Sequence, residues 1–494
     1  MSIHRKQFLI GYQPKKIKTD WETVKIGGNL YLSHCPNLSV EKIKDLNGAE
    51  WHLLGLAIQT NKEKKDPLTE IANSFTDNVK ELYKSWNGRW ILVGNNEIHL
   101  DCGGLIGCFY TKKNEQRWIS SSLGILQEIG EFSPRPENLK HRSALEWYTL
   151  PKTRFEGIYK LLPSQVLDLK TLQPIHRPLP QPIKGLMYDE ILERMVEKFK
   201  ASLLNVSKLN RRMFLPLTGG RDSRLLLAAC HYARINVETY TAGRPHISNA
   251  DLKFPFKLSK ASGYRHFFIK MKESVLSKEK EELYDHHTAG NIDDIDKKRF
   301  SHRQWDVFEK GDLLFRGGAF EIGRFIYWDY MNSNFNIENI IYGTDVHKTL
   351  IREEGNCLGY DPESFHAAAL SEWMEWVKQT PTEGLDWRDR YYLEQRVAGW
   401  LSSIEQSLDL TDTERFYVVN SFDIMSLLLS IPLEKRRTAE YVIDLIHIMF
   451  PDLPQLPFNP PDPTLRRLRK KVTKISRTPL NKLYKKLRER FYLS

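Results

Sequence analysis

A strand, a glycine turn and a helix follow one another in the middle of this chain, and their order constrains the fold more than any other feature. The apolar run 213–217 predicts a buried strand, and the turn 218–220 follows it. Asp222 and Ser223 then open the apolar run 225–229, which is typical of a buried helix. Glycine lets backbone approach an anion, and a helix N-terminus offers free N–H groups. The pattern indicates a phosphate-binding loop, although it is not a Walker loop, and an ordinary strand-to-helix turn with an N-cap is the alternative.

The segments around this loop alternate between helix and strand patterns. Residues 188–204 have the spacing of an amphipathic helix, 237–241 and 266–270 predict strands, and 250–262 predicts a helix between them. Such alternation predicts an α/β fold with a parallel sheet, whose ligands bind at the carboxyl ends of the strands. Residues 386–450 are predicted to be helical.

The net charge of +11 is concentrated at one end of the chain. Residues 464–494 hold 12 of the 73 Lys and Arg and one of the 62 Asp and Glu, which leaves 61 of each sign elsewhere. Residues 1–463 have no excess positive charge, so the charge of this part of the chain gives no support to nucleic-acid binding.

The five cysteines form no Cys-x-x-Cys pair, and their number is odd. This argues against a disulfide scaffold or a zinc module and favours a reducing compartment, so we expect a cytoplasmic location. The first ten residues have too short an apolar run for a signal peptide, and we find no apolar run long enough for a transmembrane helix.

The string Thr218-Gly219-Gly220-Arg221-Asp222-Ser223 resembles the Ser-Gly-Gly-x-Asp-Ser loop of the N-type ATP pyrophosphatases. Within that group it looks most like asparagine synthetases and their relatives, the beta-lactam synthetases and lasso-peptide cyclases. The next residue, Arg224, departs from the family, which has a small hydroxyl residue there. The resemblance implies that ATP binds at this loop, with Mg²⁺ on Asp222. The implied ATP-binding residues are Leu217, Thr218, Gly219, Gly220, Asp222 and Ser223, together with Thr241 and Gly243, which match backbone that meets adenine.

Residues 313–324 resemble a second family motif, Ser-Gly-Glu-Gly-Ala-Asp-Glu after a strand. Glu321 matches the motif, but Phe320 stands where the family has a metal-binding aspartate. The resemblance therefore implies Asp222 and Glu321 as metal ligands, unless Asp222 acts with phosphate oxygens and water alone. Glu321 and Arg324 are also candidate catalytic residues. An i, i+3 ion pair between these two side chains is the alternative.

Residues 393–397 read Leu-Glu-Gln-Arg-Val and resemble the first half of the family motif Leu-Glu-Ala-Arg-Val-Pro-Phe-Leu-Asp. In beta-lactam synthetases the matching glutamate helps to position or deprotonate the nucleophilic nitrogen, so Glu394 is a third candidate catalytic residue. A buried partner of Arg396 or of another arginine is the alternative. The family's lysine that stabilises pyrophosphate loss has no clear counterpart, and 435–437 offer candidates by charge alone.

Strings at 88–93, 99–101, 107–110 and 119–123 look like the class II glutamine amidotransferase domain that precedes the synthetase domain in asparagine synthetases. The resemblance implies an N-terminal, Ntn-like four-layer αββα domain with two β-sheets between helices. The glutaminase needs cysteine as its first residue, and here the chain starts Met1-Ser2. We therefore expect a scaffold without glutamine hydrolysis.

These matches divide the chain into four parts. The predicted parts are an amidotransferase-like domain over 1–135, a linker with many prolines over 136–187, an ATP-binding domain with a helical C-terminal part over 188–460, and a basic amphipathic tail over 461–494. Within the linker, residues 153–163 resemble the junction segment of asparagine synthetases.

The resemblance implies an ATP-dependent ligase that forms amide bonds. A carboxylate would attack the α-phosphate of magnesium-ATP, and an amine or ammonia would then displace AMP from the acyl-adenylate. The alternatives are a different adenylating enzyme, a weak or inactive scaffold, and an ordinary glutamine-dependent asparagine synthetase, which Met1-Ser2 disfavours. The expected partners are a small-molecule or peptide carboxylate and an amine, with no nucleic acid; a homodimer stays open.

The tail over 464–494 has apolar residues at helical spacing on both sides of Pro479, with Lys and Arg at most other positions. A basic amphipathic helix can lie on an anionic membrane surface, which would place the protein peripherally at the inner membrane. The alternatives are a helix that folds back on the neutral body and contact with a partner protein or nucleic acid.

Overall fold

Three β-sheets organise this computed structural model, which describes residues 4–111, 117–135, 147–243, 247–270, 277–289, 307–324 and 365–461. The strands are β1 (Phe8–Gly11), β2 (Glu22–Gly27), β3 (Leu30–His34), β4 (Val40–Lys44), β5 (Glu50–Gln59), β6 (Trp86–Gly94), β7 (Glu97–Leu100), β8 (Phe109–Thr111), β9 (Trp118–Ser120), β10 (Ile158–Lys160), β11 (Gln165–Asp168), β12 (Pro174–His176), β13 (Met213–Pro216), β14 (Glu238–Gly243), β15 (His266–Lys270), β16 (Leu313–Phe315) and β17 (Glu414–Phe416).

Two of the sheets are antiparallel and share one core. The first has the order β10-β8-β9-β1-β3-β2 and the second the order β12-β11-β7-β6-β5-β4. Phe8 and Leu32 of the first sheet pack with Leu54, Ile91 and Leu100 of the second, all of them nearly free of solvent. Alternation along each strand sends the other set of side chains outward, where helices cover them.

The helices are distributed along the whole described chain. They are α1 (Pro67–Ala72), α2 (Val79–Leu82), α3 (Leu123–Ile129), α4 (Tyr188–Ser207), α5 (Arg221–Ala233), α6 (Asn249–Ser262), α7 (Lys278–Thr288), α8 (Phe365–Gln379), α9 (Trp387–Tyr391), α10 (Ser402–Leu408), α11 (Phe422–Ser430), α12 (Leu433–Thr438) and α13 (Glu440–Met449). A π-helical segment, Tyr392–Leu401, joins α9 to α10.

Helices lie against the outer faces of both antiparallel sheets. Leu123 and Leu126 of α3 pack on Leu9 and Phe109 of the first sheet. The indole of Trp90 on the second sheet belongs to one large core with apolar side chains of α1, α4 and α5. Helices thus lie beside both antiparallel sheets, while the predicted four-layer, Ntn-like domain stays a prediction.

The third sheet is parallel throughout and confirms the predicted α/β class with a parallel sheet. Its order is β15-β14-β13-β16-β17, so the chain runs outward from β13 to one edge and then returns to the other side of β13. The strand order reverses between β13 and β16. The connections that follow these two strands therefore run towards opposite edges of the sheet, and the crevice between their first loops is where open α/β sheets bind their ligands.

The structure differs from the sequence-based predictions in two regions. Strands β10, β11 and β12 lie within 136–187 and complete the two antiparallel sheets, so this part of the chain is not a linker. The short strands extend the sheet edges, and the one proline within them, Pro174, is the first residue of the edge strand β12. Strand β17 lies inside the segment 386–450, which is predicted to be helical.

A buried ionic cluster joins the second antiparallel sheet to the parallel sheet. The Arg89 guanidinium on β6 binds Asp409 with Nη1 and Oδ1 3.0 Å apart, and Arg316 after β16 binds Glu405 at 3.2 Å. Arg415 on β17 binds both carboxylates. Glu405 and Asp409 thus lie among three guanidinium groups, and the two halves of the described chain are held by charge as well as by apolar contact.

No helix in the described ranges has the length and apolar content needed to cross a bilayer.

Candidate functional site

The glycine loop lies in the crevice at the end of β13. Leu217 continues the strand by donating its N–H to the Tyr240 carbonyl of β14, 2.8 Å away. The turn is then closed by hydroxyls, because the Thr218 N–H donates to Ser223 Oγ (3.2 Å) and the Gly220 N–H to Thr218 Oγ1 (3.1 Å). Helix α5 begins at Arg221, so its first N–H groups face the loop. The structure therefore brings all six predicted loop residues together at a helix N-terminus.

The sequence-based prediction missed three residues that fix this loop. Asp251 in the first turn of α6 accepts the Gly219 N–H at 2.6 Å. The Asn459 N–H donates to the Gly219 carbonyl at 3.0 Å, and Arg224 donates to the same carbonyl at 2.9 Å. The sequence gives a local signal for Asp251, because this residue lies in the first turn of the helix that follows the second parallel strand. Asn459 had none, because only the tertiary fold returns the C-terminal segment to the loop.

A second loop after β16 closes the other side of the crevice. Gly317 approaches Asp222 so closely that a Cβ added there would lie 3.2 Å from the Asp222 Cβ. Ala319 has φ of 71°, which turns the chain sharply before the 3₁₀ turn Phe320–Gly323. Phe320, at the position of the family's metal-binding aspartate, is buried and packs edge-on against Phe199 of α4. The Phe320 side chain therefore lies in the core.

Asp222, Glu321 and Arg324 meet between the two loops. Arg324 Nη2 lies 3.0 Å from Asp222 Oδ2 and 3.8 Å from Glu321 Oε1. The Tyr392 hydroxyl donates to Glu321 Oε2 at 2.7 Å. Both carboxylates therefore converge on one guanidinium, and the i, i+3 pair offered as an alternative is present, extended by Asp222.

Burial dominates the electrostatics of Asp222. It raises the pKa of Asp222 to about 6; the Arg324 guanidinium works in the opposite direction and the Glu321 carboxylate adds to the rise. Arg324 itself has a raised pKa despite its burial, because both carboxylates stabilise its charge. Hard cations such as Mg²⁺ prefer carboxylate oxygens, and Asp222 and Glu321 supply them here, both within reach of Arg324.

The two positions predicted near adenine lie at the end of β14. The Thr241 hydroxyl donates to the Leu217 carbonyl at 2.7 Å and so ties β14 to the glycine loop. Gly243 lies against the ring of Phe268 on β15, and an added Cβ would come within 2.1 Å of that ring. The Thr241 hydroxyl is therefore occupied by a hydrogen bond within the protein, and a side chain at position 243 would collide with the Phe268 ring.

Glu394 lies apart from this crevice, at the junction between the antiparallel sheets and the helices. Arg390 Nε donates to its Oε2 at 3.0 Å and Trp373 Nε1 donates to the same oxygen at 2.8 Å, while the Ser164 hydroxyl donates to Oε1. The side chain is fully buried. In this arrangement Glu394 has the geometry of a structural ion pair, with Arg390 rather than Arg396 as the arginine. Its role as a catalytic residue stays a prediction.

The variant Glu394→Gln separates these two roles. If the carboxylate is structural, its loss leaves the buried Arg390 without its carboxylate partner, and we expect the free energy of unfolding to fall by about 3 kcal/mol. Adenylation and amide formation should then fall together. A slower amide step with unchanged stability would instead identify Glu394 as the group that handles the amine proton. Glu375→Gln, which removes a more exposed pair with Lys378, is the matched control for thermal denaturation.

The predicted scaffold role of the N-terminal part is not decided by the residues described. Ser2, which could have served as a terminal nucleophile, lies outside the described residues. Cys35 is buried at the end of β3, and its thiol contacts Asn37 Oδ1 at 3.8 Å. Lys435 and Arg437 pair with nearby acidic side chains. Arg436 pairs with Asp389 (2.8 Å) and also donates to the Ile322 carbonyl (2.7 Å) beside the second loop.

Comparison with known proteins leaves the family open. No protein-family model and no curated protein sequence matches the chain. Among solved structures, it is similar to an allosteric regulatory enzyme of purine biosynthesis (10% identity, TM-score 0.22) and to the glutamine phosphoribosylpyrophosphate amidotransferase of B. subtilis complexed with ADP and GMP (10% identity, TM-score 0.23). Each match covers 64% of this chain and 70% of the other. Similarity this weak supports no inference about activity.

The variant Gly219→Val tests whether the glycine loop binds a nucleotide. A Cβ at this position would lie 3.0 Å from the Ala250 Cβ and 3.3 Å from Asp251 Oδ1, so the larger side chain must push the loop away from α6. Overpacking of this kind costs about 1–3 kcal/mol, which, if it falls on the ATP-bound loop, corresponds to a loss of ATP affinity of about 5-fold to 150-fold. Isothermal titration of wild type, Gly219→Ala and Gly219→Val should show a graded loss. Equal affinities would show that ATP does not bind at this loop.

Proposed function

We propose that this chain is an ATP-dependent ligase that adenylates a carboxylate and transfers the acyl group to an amine or ammonia without hydrolysing glutamine. The observation that carries the proposal is the position of the glycine loop. It lies at the point where the strand order of the parallel sheet reverses, at the N-terminus of α5, with Asp222 turned towards a second loop. Gly220 has no side chain, so phosphate oxygens can approach backbone there, whereas the missing side chain of Gly219 makes room for Ala250 and Asp251 of α6.

The residues around the loop have separate roles in the proposed reaction. Magnesium, when bound, would neutralise charge on the phosphates, with Asp222 and Glu321 as its carboxylate ligands. Arg324 lies between these carboxylates and supplies a cation beside the departing pyrophosphate, in place of the lysine that the family uses. The first N–H groups of α5 stabilise the same negative charge, because a helix N-terminus is partially positive.

The proposed reaction needs no covalent bond to the protein. A carboxylate oxygen of the substrate attacks the α-phosphorus, and pyrophosphate leaves. The amine nitrogen then attacks the acyl carbon, AMP leaves with the electron pair, and the amine proton passes to a base. Positioning and charge neutralisation therefore account for the chemistry that the chain must supply.

The decisive experiment is a screen of carboxylates for ATP–pyrophosphate exchange, followed by mass spectrometry of products formed with added amines. The proposal predicts exchange that depends on one class of carboxylate and a product whose mass equals acid plus amine minus water. Absence of carboxylate-dependent exchange across amino acids, peptides and dicarboxylates would contradict it. Parallel assays with glutamine should release no glutamate, and a gel shift with tRNA would identify an RNA-modifying adenylating enzyme instead.

A specific observation also favours a second candidate, a weak or inactive scaffold. Arg324 already forms an ion pair with Asp222, and Asp251 already accepts the Gly219 N–H. The Phe320 side chain packs in the core and offers no ligand atom for a metal. A chain that binds ATP tightly but supports no exchange with any carboxylate would have this second function.

The basic tail lies outside the described residues, so its contact with an anionic membrane surface or a partner protein remains a proposal from the sequence.

A further inference from the structure

A second cluster of polar side chains lies where three separate segments of the chain meet, and none of these segments belongs to the glycine loop. His4 comes from the start of the chain, Glu128 from α3 and His286 from α7. His4 Nε2 lies 2.6 Å from Glu128 Oε1, and His286 Nε2 contacts the same oxygen. The ligand atoms of the three side chains all lie within 4.8 Å of one another. Two imidazole nitrogens and a carboxylate oxygen thus face one small volume.

Hydrogen bonding alone leaves part of this cluster unsatisfied. His4 is fully buried, and its Nδ1 has no hydrogen-bond partner among the described residues. The neighbouring His287 ring lies 6.1 Å from the His4 ring; its Nε2 is bonded to the Gln406 carbonyl, and its buried Nδ1 also lacks a partner in the described chain. The unpartnered Nδ1 of His4 is not the nitrogen that faces Glu128, so Nε2 is the atom of His4 available to an ion in this cluster.

We propose that His4, Glu128 and His286 form a binding site for a divalent transition-metal ion of the zinc class. Two imidazole ligands select against Mg²⁺ and Ca²⁺, which prefer oxygen, and favour Zn²⁺. A tetrahedral ion bound at about 2.0–2.2 Å separates its ligand atoms by roughly 3.3 Å, so the side chains need to move apart by only about 1 Å. Three protein ligands leave one position for water or another ligand.

The site is accessible from one side and supported from the other. The side chains of His286 and Glu128 are 47% and 26% exposed, so an ion can enter, while His4 forms the closed inner wall. Gly124 permits the close approach of α3 and α7, since a Cβ there would lie 2.2 Å from the His286 carbonyl. An ion would therefore tie the start of the chain and α3 to α7, across two parts of the fold.

Contacts outside the cluster hold this region in place without a metal. The Ser122 hydroxyl donates to the His287 carbonyl at 3.3 Å, Arg154 donates to the Ala289 carbonyl at 2.9 Å, and Gln406 donates to the Ser121 carbonyl at 2.8 Å. Variants at the exposed ligands are therefore expected to fold, and loss of metal binding in them will report on the site itself.

The test uses the full chain, freed of metal with a chelator and titrated with Zn²⁺ by calorimetry and with Co²⁺ by absorption spectroscopy. We expect one equivalent of tightly bound Zn²⁺ and visible Co²⁺ bands of tetrahedral intensity. His286→Ala and Glu128→Gln should weaken Zn²⁺ binding by more than about 100-fold, because even residues outside the ligand set cost 10–100-fold. His447→Ala removes an exposed histidine from α13 and should leave both signals unchanged.

Stability gives an independent readout. Zn²⁺ should raise the Tm of the wild-type chain, because an ion that binds only the folded state stabilises it, and should not raise the Tm of His286→Ala. Absence of stoichiometric binding, binding lost in His447→Ala but kept in His286→Ala, or binding without a shift in Tm would each overturn the proposal. None of these outcomes depends on the ligase activity proposed for the glycine loop.

Discussion

Asp222→Asn is expected to reduce ATP-dependent pyrophosphate release by about 10²–10³-fold while the chain stays folded. Asparagine keeps the shape of the side chain but removes the negative charge that would hold the metal and that now holds Arg324. Loss of one well-placed electrostatic group typically costs this much in rate. The measurement is steady-state pyrophosphate release with the best carboxylate found in the exchange screen.

The control for this variant is Asp423→Asn. Asp423 also lies in the first turn of a helix, α11, and also pairs with a cation, with Lys198 Nζ 2.6 Å from its Oδ2. It is outside the crevice, so the rate should not change. Full activity in Asp222→Asn would remove the metal from the proposal. A large drop in Tm would show instead that the contact between Asp222 and Arg324 is structural.

Glu405→Gln is expected to lower the free energy of unfolding by about 3–5 kcal/mol, the largest stability effect we predict. Glu405 lies among Arg415, Arg316 and Arg89 and accepts a hydrogen bond from the Tyr417 hydroxyl at 2.6 Å. Without its charge, three buried guanidinium groups would share the single carboxylate of Asp409 within this cluster. Uncompensated buried charge is the reason that breaking such a pair costs several kcal/mol.

Urea denaturation followed by tryptophan fluorescence measures this loss. Glu383→Gln is the control, because it removes a glutamate from a largely exposed ion pair with Lys184 and should leave the midpoint unchanged. A midpoint for Glu405→Gln equal to that of wild type would show that the cluster contributes little to stability, and that apolar contact alone joins the sheets.

The same cluster predicts how stability responds to acid. Burial would raise the pKa of Asp409, but Arg89 and Arg415 lower it to about 2, below its ordinary value of 3.8. A carboxyl whose pKa is lower in the folded state stabilises the fold above its unfolded pKa. That contribution is lost as the pH falls from about 4 towards 2.

Local patterns determined much of the second half of the chain. The apolar run of β13 and the glycines between β13 and α5 predicted a strand–loop–helix unit, and the parallel sheet that it implies is present. Buried parallel strands have continuous apolar runs, so they can be read without tertiary information. In contrast, β17 is short and flanked by helical patterns, and the edge strands β2 and β4 are half-exposed, so their sequences carry a weak signal.

The sequence by itself determined the identity of the loop residues and the presence of a carboxylate at the start of α5. Only the tertiary structure decided which charges meet there. Arg324 reaches Asp222 across 102 positions, Asp251 reaches Gly219 across 32, and Asn459 returns from the C-terminal segment. The cluster of His4, Glu128 and His286 likewise joins three distant segments. Spacing along a chain reports neighbours on one strand or helix, whereas contacts between elements depend on how apolar faces pack, and no local pattern encodes that.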